Sequence, residues 1–118
     1  MSYDLCLHHP VTKEIIMLDE PHFMRGWTYP FGGSREASIN ITWNYADFFC
    51  TVLGERGIRS IYGLSGAECI SILKEAMAKL KDDVVDGYWK RAKGNAKTAL
   101  AQILALSQMR PAGIWNGD

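Results

Sequence analysis

Apolar and polar residues alternate along the first third of the chain with the period of a β-strand. In "SYDLCLHH" (2–9) Tyr3, Leu5 and Leu7 are each separated by one more polar residue. The segment "ASINITW" (37–43) places four apolar side chains on one face: Ala37, Ile39, Ile41 and Trp43. Because side chains in a strand point alternately to opposite faces, both segments predict strands with one buried face.

A third apolar segment lies between these two. "KEIIMLD" (13–19) follows a turn marked by Pro10 and Thr12, and its residues 15–18 are all apolar. A run that is apolar on both faces is typical of a strand covered on both sides. The pattern predicts that 13–19 pairs with 2–9 in a β-hairpin and that the strands form an antiparallel sheet.

The apolar spacing changes to a helical period after residue 43. Tyr45, Phe48, Phe49, Val52 and Leu53 form one stripe of a first helix, for which Asn44 is the predicted N-cap. A second helix follows at 65–81, where Ser65 and Glu68 have the spacing of a capping box. Its predicted inner stripe consists of Ile70, Leu73, Met77 and Leu80, widened by Cys69, Ile72 and Ala76.

A third helix is predicted at 95–110, and Pro111 ends it. The preceding segment, "DDVVDGYWKRAKG" (82–94), is interpreted as a connector that can include one helical turn, and the tail 111–118 as irregular. Strands followed by helices indicate an α+β fold: a small N-terminal antiparallel sheet of three to four strands, packed by three C-terminal helices. We expect the 118 residues to form a single domain over 1–118.

The amino-acid composition limits the classes of function that this protein can have. Thirteen basic and thirteen acidic residues cancel, which disfavours a protein that coats duplex DNA or anionic lipid. Cys6, Cys50 and Cys69 form no C-x-x-C unit, and each lies in an apolar segment, so we expect them to be buried and reduced. The N-terminus resembles no signal peptide and no apolar run is long enough to span a bilayer. These features predict a cytoplasmic protein.

The sequence gives little support to a catalytic site or a metal site. The chain has no G-x-S-x-G elbow, and Ser65 is better explained as a helix cap than as a nucleophile. His8 or His9 could join His22 and Asp19 or Glu20 at a metal, but we favour histidines that are exposed or hydrogen-bonded. We therefore predict no catalytic residues, no metal and no cofactor.

Two segments carry the residue types that bind phosphate or nucleic acid. Gly63, Ser65 and Gly66 begin a helix near Arg59, where free N–H groups would attract an anion unless Ser65 and Glu68 satisfy them, which we favour. In "GYWKRAKGNAK" (87–97) two rings adjoin two cations, as in single-strand binders: Tyr88, Trp89, Lys90 and Arg91. The acidic residues directly before this segment would weaken the positive electrostatic potential that attracts a nucleic-acid backbone.

The segment "PHFMRGWTYPFGG" (21–33) concentrates four aromatic rings among three glycines. Arg25, Trp27 and Tyr29 are the residue types that most often anchor interfaces, which indicates a recognition loop. The alternation of Trp27, Tyr29 and Phe31 is equally typical of one more short strand that fills the core. Both interpretations stay open, as does a combination in which some rings are buried.

Several whole phrases of the chain resemble a group of small hypothetical proteins of bacteriophages and prophages. They are "YDLCLHHPVTKEI", "PHFMRGWTY", "NITWNY", "GIRSIYGLSGAE", "GYWKRAKGNAK" and "MRPAGIWNGD". The resemblance runs nearly end to end and includes no catalytic signature. It implies a protein that acts in the cytoplasm of a bacterium, for example on a host defence system, a nucleotide signal or a host enzyme.

We therefore predict a non-catalytic protein that binds and modulates a host protein. Its predicted contacts are Arg25, Trp27, Tyr29 and Arg59 first, and the segment from Tyr88 to Arg91 second. A module that binds a nucleotide signal or nucleic acid is the alternative, and a small-molecule enzyme is the third class. The partner and the oligomeric state stay open, with a homodimer among the options.

Overall fold

The described residues form five strands and three α-helices. The structure is a computed structural model that describes residues 2–22, 34–42, 45–82 and 87–117. In chain order the elements are β1 (Ser2–His8), β2 (Met17–His22), β3 (Ser34–Glu36), β4 (Ser38–Thr42), α1 (Ala46–Leu53), a 3-10 helix (Gly57–Ile61), α2 (Gly66–Asp82), α3 (Gly87–Met109) and β5 (Ile114–Gly117). The fold is α+β, as the sequence predicts.

A three-stranded antiparallel sheet in the order β4-β1-β5 is the centre of the fold. Leu5 pairs with Ile39 in β4, and Leu7 pairs with Trp115 in β5. The inner face of these strands is buried against the helices: Tyr3, Leu5, Leu7, Ala37, Ile39, Ile41 and Trp115. The predicted alternation is confirmed for the described positions, and Trp43 lies outside them.

The predicted hairpin between β1 and the next strand is only partly correct. One bridge joins His8 to Ile15, and Ile16 donates its N–H to Leu7 at 2.9 Å. From Met17 onwards the chain leaves β1 and pairs with β3 in a separate two-stranded sheet. The expectation that 15–18 is covered on both faces is wrong, because Ile15 and Met17 are exposed while Leu18 is buried. The apolar run 15–18 therefore has one face directed to the core and one face exposed to solvent.

Helix α1 has the predicted apolar stripe but a different start. Phe49 and Val52 are buried and Phe48 and Leu53 pack beside them. The N-cap is Tyr45, not the predicted Asn44, and its side chain makes no capping hydrogen bond. The ring of Tyr45 is instead buried and meets Phe49 edge-on, so packing positions this end of the helix.

Helix α2 begins with the predicted capping box. The backbone N–H of Glu68 donates to Ser65 Oγ, and the N–H of Ser65 donates to Glu68 Oε1, both at 3.1 Å. The buried stripe consists of Cys69, Leu73, Ala76 and Leu80, all of which belong to the predicted apolar stripe. Ile70 and Met77 are only half-buried. Small residues at two of the four buried positions let α2 approach its neighbours closely.

Helix α3 is longer than predicted. It begins at Gly87, so most of the segment interpreted as a connector is helical, and it ends at Met109 as Pro111 predicts. Lys, Arg, Ala and Trp are acceptable helix residues, and one internal glycine costs only about 1 kcal/mol. The two long helices are antiparallel, since the start of α2 lies against the end of α3. None of the helices in the described part of the chain is long and apolar enough to cross a membrane.

The C-terminal segment forms a strand, which corrects the prediction of an irregular tail. Strand β5 pairs with β1 on one edge, while on the other the N–H of Trp115 donates to Leu64 O at 2.9 Å and Gly63 donates to Trp115 O at 2.8 Å. Trp115 is fully buried, and its Nε1–H donates to Ser107 Oγ at 2.9 Å. Ser107 in turn donates to Ile103 O. The last strand is thus locked between the sheet and α3.

Candidate functional site

Of the predicted contact residues, only Arg59 has a side chain among the described residues. Arg25, Trp27 and Tyr29 all lie outside the described residues, so the two interpretations of 21–33 stay predictions. Tyr88 to Arg91 lie in the first turns of α3. The side chains of 88–91 lie outside the described residues, so this second contact segment stays a prediction.

Arg59 is the predicted contact residue whose surroundings are best defined. Its guanidinium carbon lies 5.4 Å from the centre of the Tyr3 ring, at cation–π distance. The Tyr3 ring packs edge-on against Phe49, with 6.4 Å between the ring centres. Arg59 is half-buried and covers the end of the core, so its observed contact is with its own chain.

The N–H groups at the start of α2 are occupied, as we favoured over an anion site. Gly66 donates its N–H to Gly113 O at 2.8 Å, and Ala67 donates to Pro111 O at 2.9 Å. The next N–H, of Glu68, is held by Ser65 Oγ. Because carbonyls and the capping box occupy these three donors, a phosphate would have to displace them. The helix start joins α2 to α3 instead of presenting donors to a ligand.

The outer face of the sheet carries a thiol in acidic surroundings. Cys6 lies beside a cavity of about 290 Å³ that Asp4, Glu36 and Asn40 also line. Burial raises the pKa of the Cys6 thiol, and the nearby carboxylates of Glu36 and Asp4 raise it further. A nucleophilic cysteine needs the opposite, a lowered pKa. This arrangement keeps Cys6 protonated and does not activate it.

The other cysteines also differ from expectation. Cys69 is buried, whereas Cys50 is exposed and Cys6 is intermediate, so the expectation of burial holds for one of the three. All three are free thiols. Cys50 lies on the outer side of α1, where its Sγ contacts Glu55 O at 3.7 Å. The apolar pattern of α1 does not predict that Cys50 is exposed, because this helix is short and most of its residues are apolar.

The histidines have separate roles in the described structure. His22 is buried and its Nε2 lies 2.6 Å from Glu36 O, which links the two strands of the small sheet. His9 accepts hydrogen bonds at Nδ1 from the N–H groups of Val11 and Thr12. Among the described residues no three His, Cys, Asp or Glu side chains gather as a metal site would require.

An apolar depression, which we call the hairpin groove, lies between the β1–β2 connection and the end of α3. It encloses about 230 Å³ and is lined by His9, Pro10, Ile16, Met109, Arg110, Pro111, Ala112 and Gly113. Residues 9–17, which we call the hairpin arm, form one wall, and the last turn of α3 with its following turn forms the other.

The wall formed by the hairpin arm is built by a tight turn. His9 and Glu14 are joined by an N–H to O bond of 2.8 Å, and Lys13 donates back to His9 O at 2.9 Å. Lys13 adopts a left-handed conformation with φ of 66°, which is uncommon for a residue other than glycine. The two bonds to His9 Nδ1 hold the remaining backbone of the turn. The turn is thus defined by local hydrogen bonds and not by burial.

Large apolar side chains are exposed around this groove. Val11 at the tip of the hairpin arm is 79% exposed, and Met109 on the opposite wall is 46% exposed. Ile15 and Met17 are also exposed, on the other face of the arm from Ile16, because neighbours in an extended strand alternate. Of these four exposed side chains only Met109 lines the groove, which therefore combines an apolar lining with one large exposed apolar side chain.

A second depression continues from the groove along β2. It encloses about 270 Å³, is lined by Asp19, Glu20, Pro21 and His22 among others, and shares Met109 and Arg110 with the groove. Arg110 lies between the two and its Nη2 is 3.7 Å from the carboxylate of Asp19, which is 98% exposed. Such an exposed ion pair is weak, so Arg110 can exchange this partner.

Sequence reasoning missed the hairpin groove. The signals that point to it are present: an apolar run too long for one buried face at 15–18, and Met109 two residues before the Pro111 stop. Neither signal shows that the two segments meet, because they lie at opposite ends of the chain. Only the pairing of β5 with β1 places the end of α3 beside the hairpin arm.

No model of a protein family, no curated protein and no solved structure matches the chain in comparisons with known proteins.

Proposed function

We propose that this protein acts by binding another protein and that the hairpin groove holds the main anchor of that partner. The observation that carries the proposal is the apolar depression of about 230 Å³ between the hairpin arm and α3, with exposed Met109 on its wall. Its size exceeds the ~150 Å³ that accepts a benzene ring but is below the range of roughly 300–1,000 Å³ typical of small-molecule pockets. A single large apolar side chain of a partner fits this size.

The lining of the groove supports a protein partner in two further ways. Methionine is common at binding surfaces because its flexible thioether adapts to different shapes, and Met109 faces solvent here. Two prolines, Pro10 and Pro111, stiffen the opposite walls, which lowers the entropy lost on binding. The resemblance to small phage proteins adds the proposal that the partner is a host protein in a bacterial cytoplasm.

Burial and the carboxylates of Glu36 and Asp4 raise the pKa of Cys6, so its surroundings do not favour a nucleophilic thiolate, and we propose binding. The predicted contacts Arg25, Trp27 and Tyr29 belong to the same proposal as a second contact region, since the recognition loop precedes β3 directly in the chain. Binding of a nucleotide signal or of nucleic acid stays a prediction, and the closed start of α2 gives it no support.

Affinity capture from a bacterial lysate tests the proposal. The wild-type chain should retain a partner protein that Met109→Gln and Ala112→Asp lose, because both changes make the groove polar at exposed positions. Lys79→Glu, at an exposed position far along α2, is the matched control and should retain the partner.

The same capture separates the two contact regions. If Trp27→Ala loses the partner while Met109→Gln keeps it, binding uses the 21–33 segment and the assignment to the hairpin groove is wrong. Melting temperatures of all variants within a few degrees of the wild type would show that the losses come from the surface and not from unfolding.

A further inference from the structure

The turn of the hairpin arm uses a side-chain acceptor that a proton can remove. His9 Nδ1 lies 3.2 Å from the backbone nitrogen of Val11 and 3.3 Å from that of Thr12, and it accepts a hydrogen bond from both N–H groups. A ring nitrogen accepts a hydrogen bond only while it carries no proton, so these bonds require a neutral imidazole with its hydrogen on Nε2. Imidazolium carries a hydrogen on both nitrogens and can only donate. The observed turn therefore contains neutral His9.

The remaining bonds of the turn do not depend on the ring. The N–H of His9 donates to Glu14 O at 2.8 Å, and the N–H of Lys13 donates to His9 O at 2.9 Å. Lys13 has a φ of 66°, which is unfavourable for a residue with a side chain and persists only where its surroundings hold it. Without the two bonds to the ring, fewer contacts oppose this strain, so we expect the turn to open more often.

The base of the arm stays attached when the tip opens. Ile16 packs against Gly113, and its N–H donates to Leu7 O at 2.9 Å. Val11 at the tip is 79% exposed, so burial holds the tip only weakly. The change is therefore confined to the turn, whose residues His9 and Pro10 line the hairpin groove.

The charged and titratable residues around His9 have both signs: His8, Lys13, Glu14, Asp19 and Arg110. His8 and Lys13 share a cavity of about 280 Å³ with His9, and Arg110 shares the groove with it. Glu14 adjoins Lys13, and Asp19 lies 3.7 Å from Arg110. Because cations and carboxylates offset each other here, the two lost hydrogen bonds decide what a proton on His9 does.

We propose that His9 is an acid-sensitive switch of the hairpin arm. Histidine ordinarily changes its charge between about pH 5 and about pH 8. The imidazole is the acceptor in its neutral form, so the turn is closed at the upper end of this range and opens as the pH falls. A consequence that rests on the proposed function is that the groove loses its shape and holds a partner less tightly in acid.

Nitrogen-15 NMR and amide hydrogen exchange of the full chain test the switch. At about pH 8 the ring of His9 should be the Nε2–H tautomer. Amide protection at Val11 and Thr12, corrected for the intrinsic pH dependence of exchange, should fall about two- to tenfold as the ring takes up a proton. An Nδ1–H tautomer, or protection that does not follow protonation of the ring, would overturn the proposal.

Two matched variants identify the responsible group. His9→Asn offers an acceptor that does not titrate, so protection at Val11 and Thr12 should no longer depend on the protonation of a ring. His8→Gln removes the other histidine of the shared cavity and should keep the pH dependence of the wild type. A dependence that persists in His9→Asn, or that disappears in His8→Gln, would assign the switch to another group and refute it for His9.

The outcomes separate the switch from the proposed function, because the NMR measurement needs no partner. Capture of the partner should weaken in acid for the wild type more than for His9→Asn. If protection falls in acid but both chains retain the partner equally, the effect of the switch on the groove is refuted. If no partner is captured at any pH, the proposed function fails while the measured switch stands.

Discussion

The C-terminal segment and the hairpin arm are both short, and both flank the hairpin groove, yet different forces hold them. Residues 113–117 are bonded on both edges and carry the fully buried Trp115. The hairpin arm, 9–17, carries Val11 at 79% exposure and depends on a side-chain acceptor, His9 Nδ1, to complete its turn. Gly113 at the start of this segment lines the groove, so the wall that continues into β5 is anchored to the core, whereas the hairpin arm is held by local hydrogen bonds. A binding site with one rigid and one adaptable wall can keep its position while it adjusts to a partner.

The largest expected effect is at Trp115. Trp115→Ala should lower the free energy of unfolding by about 3–5 kcal/mol, because it removes a fully buried ring and leaves a cavity between β1 and α3. Denaturant unfolding measures the loss. Val11→Ala at the tip of the arm should change stability by no more than about 0.5 kcal/mol. Similar losses at the two positions would refute the contrast between the regions.

The buried hydrogen bond of Trp115 can be separated from its packing. Ser107→Ala leaves the Nε1–H of Trp115 without its acceptor, which should cost about 1–3 kcal/mol. Trp115→Phe removes the donor, so the double variant Trp115→Phe with Ser107→Ala should lose less than the sum of the two single losses. Strict additivity would mean that the hydrogen bond contributes nothing.

The next effect concerns the contact that joins α2 to α3. A Cβ at Gly66 would lie 2.8 Å from Arg110 O and 2.9 Å from Ser107 O, and backbone atoms cannot rotate away. Gly66→Ala should therefore destabilise the protein by about 1–3 kcal/mol, although alanine favours helices. Thermal unfolding measures the change. Ala67→Gly is the control at the neighbouring exposed position, where only helix propensity of about 1 kcal/mol is at stake.

A smaller effect should appear at alkaline pH through Cys69. Burial, with a further contribution from Glu68, raises the pKa of this thiol from 9.0 to about 11. Since the folded state holds the proton more tightly, the stabilisation is complete below about pH 9 and is lost as the pH rises through about 11. At pH 10 the loss amounts to about 1.4 kcal/mol.

Unfolding of the wild type and of Cys69→Ala between pH 8 and pH 10 tests this dependence. The variant should lose less stability over that range, by about the same 1.4 kcal/mol. Equal losses would contradict the raised pKa. Thiol labelling provides a second measurement, because exposed Cys50 should react quickly while Cys69 should react only when the core opens.

The smallest expected effect is at His9. His9→Ala removes the acceptor for two N–H groups of an exposed turn and should cost about 0.5–1.5 kcal/mol. His9→Asn should recover part of it, since an Asn side chain accepts hydrogen bonds from the same following residues in an Asx turn. Amide hydrogen exchange at Val11 and Thr12 measures the opening of the turn directly. Unchanged exchange in His9→Ala would show that the side chain does not hold the arm.

Local patterns predicted those parts of the fold in which neighbours along the chain determine structure. Alternation in 37–41 predicted the buried face of β4, and Ser65 with Glu68 predicted the start of α2. Pro111 predicted the end of α3 because a proline cannot continue the helix. In each case the physical cause lies within a few residues of its effect.

Predictions were wrong where a segment far away in the sequence determines the local structure. The four residues of β5 are too few for a period to show, and their partner is at the other end of the chain. Strand β2 leaves β1 after Ile16 because β3 offers another pairing, which no pattern within 13–19 indicates. Asn44 has the chemistry of an N-cap, but burial of the Tyr45 ring sets the start of α1.

The sequence by itself therefore determined the α+β class, the capping box, the helix stop and the inward face of the central strands, since propensity, capping and period are local. Tertiary structure alone decided that the last strand lies beside the first, that the N–H groups of α2 are taken by carbonyls and that Met109 meets the hairpin arm. These contacts depend on which distant surfaces pack together, and packing free energy is shared by many residues, so no short stretch of sequence specifies it.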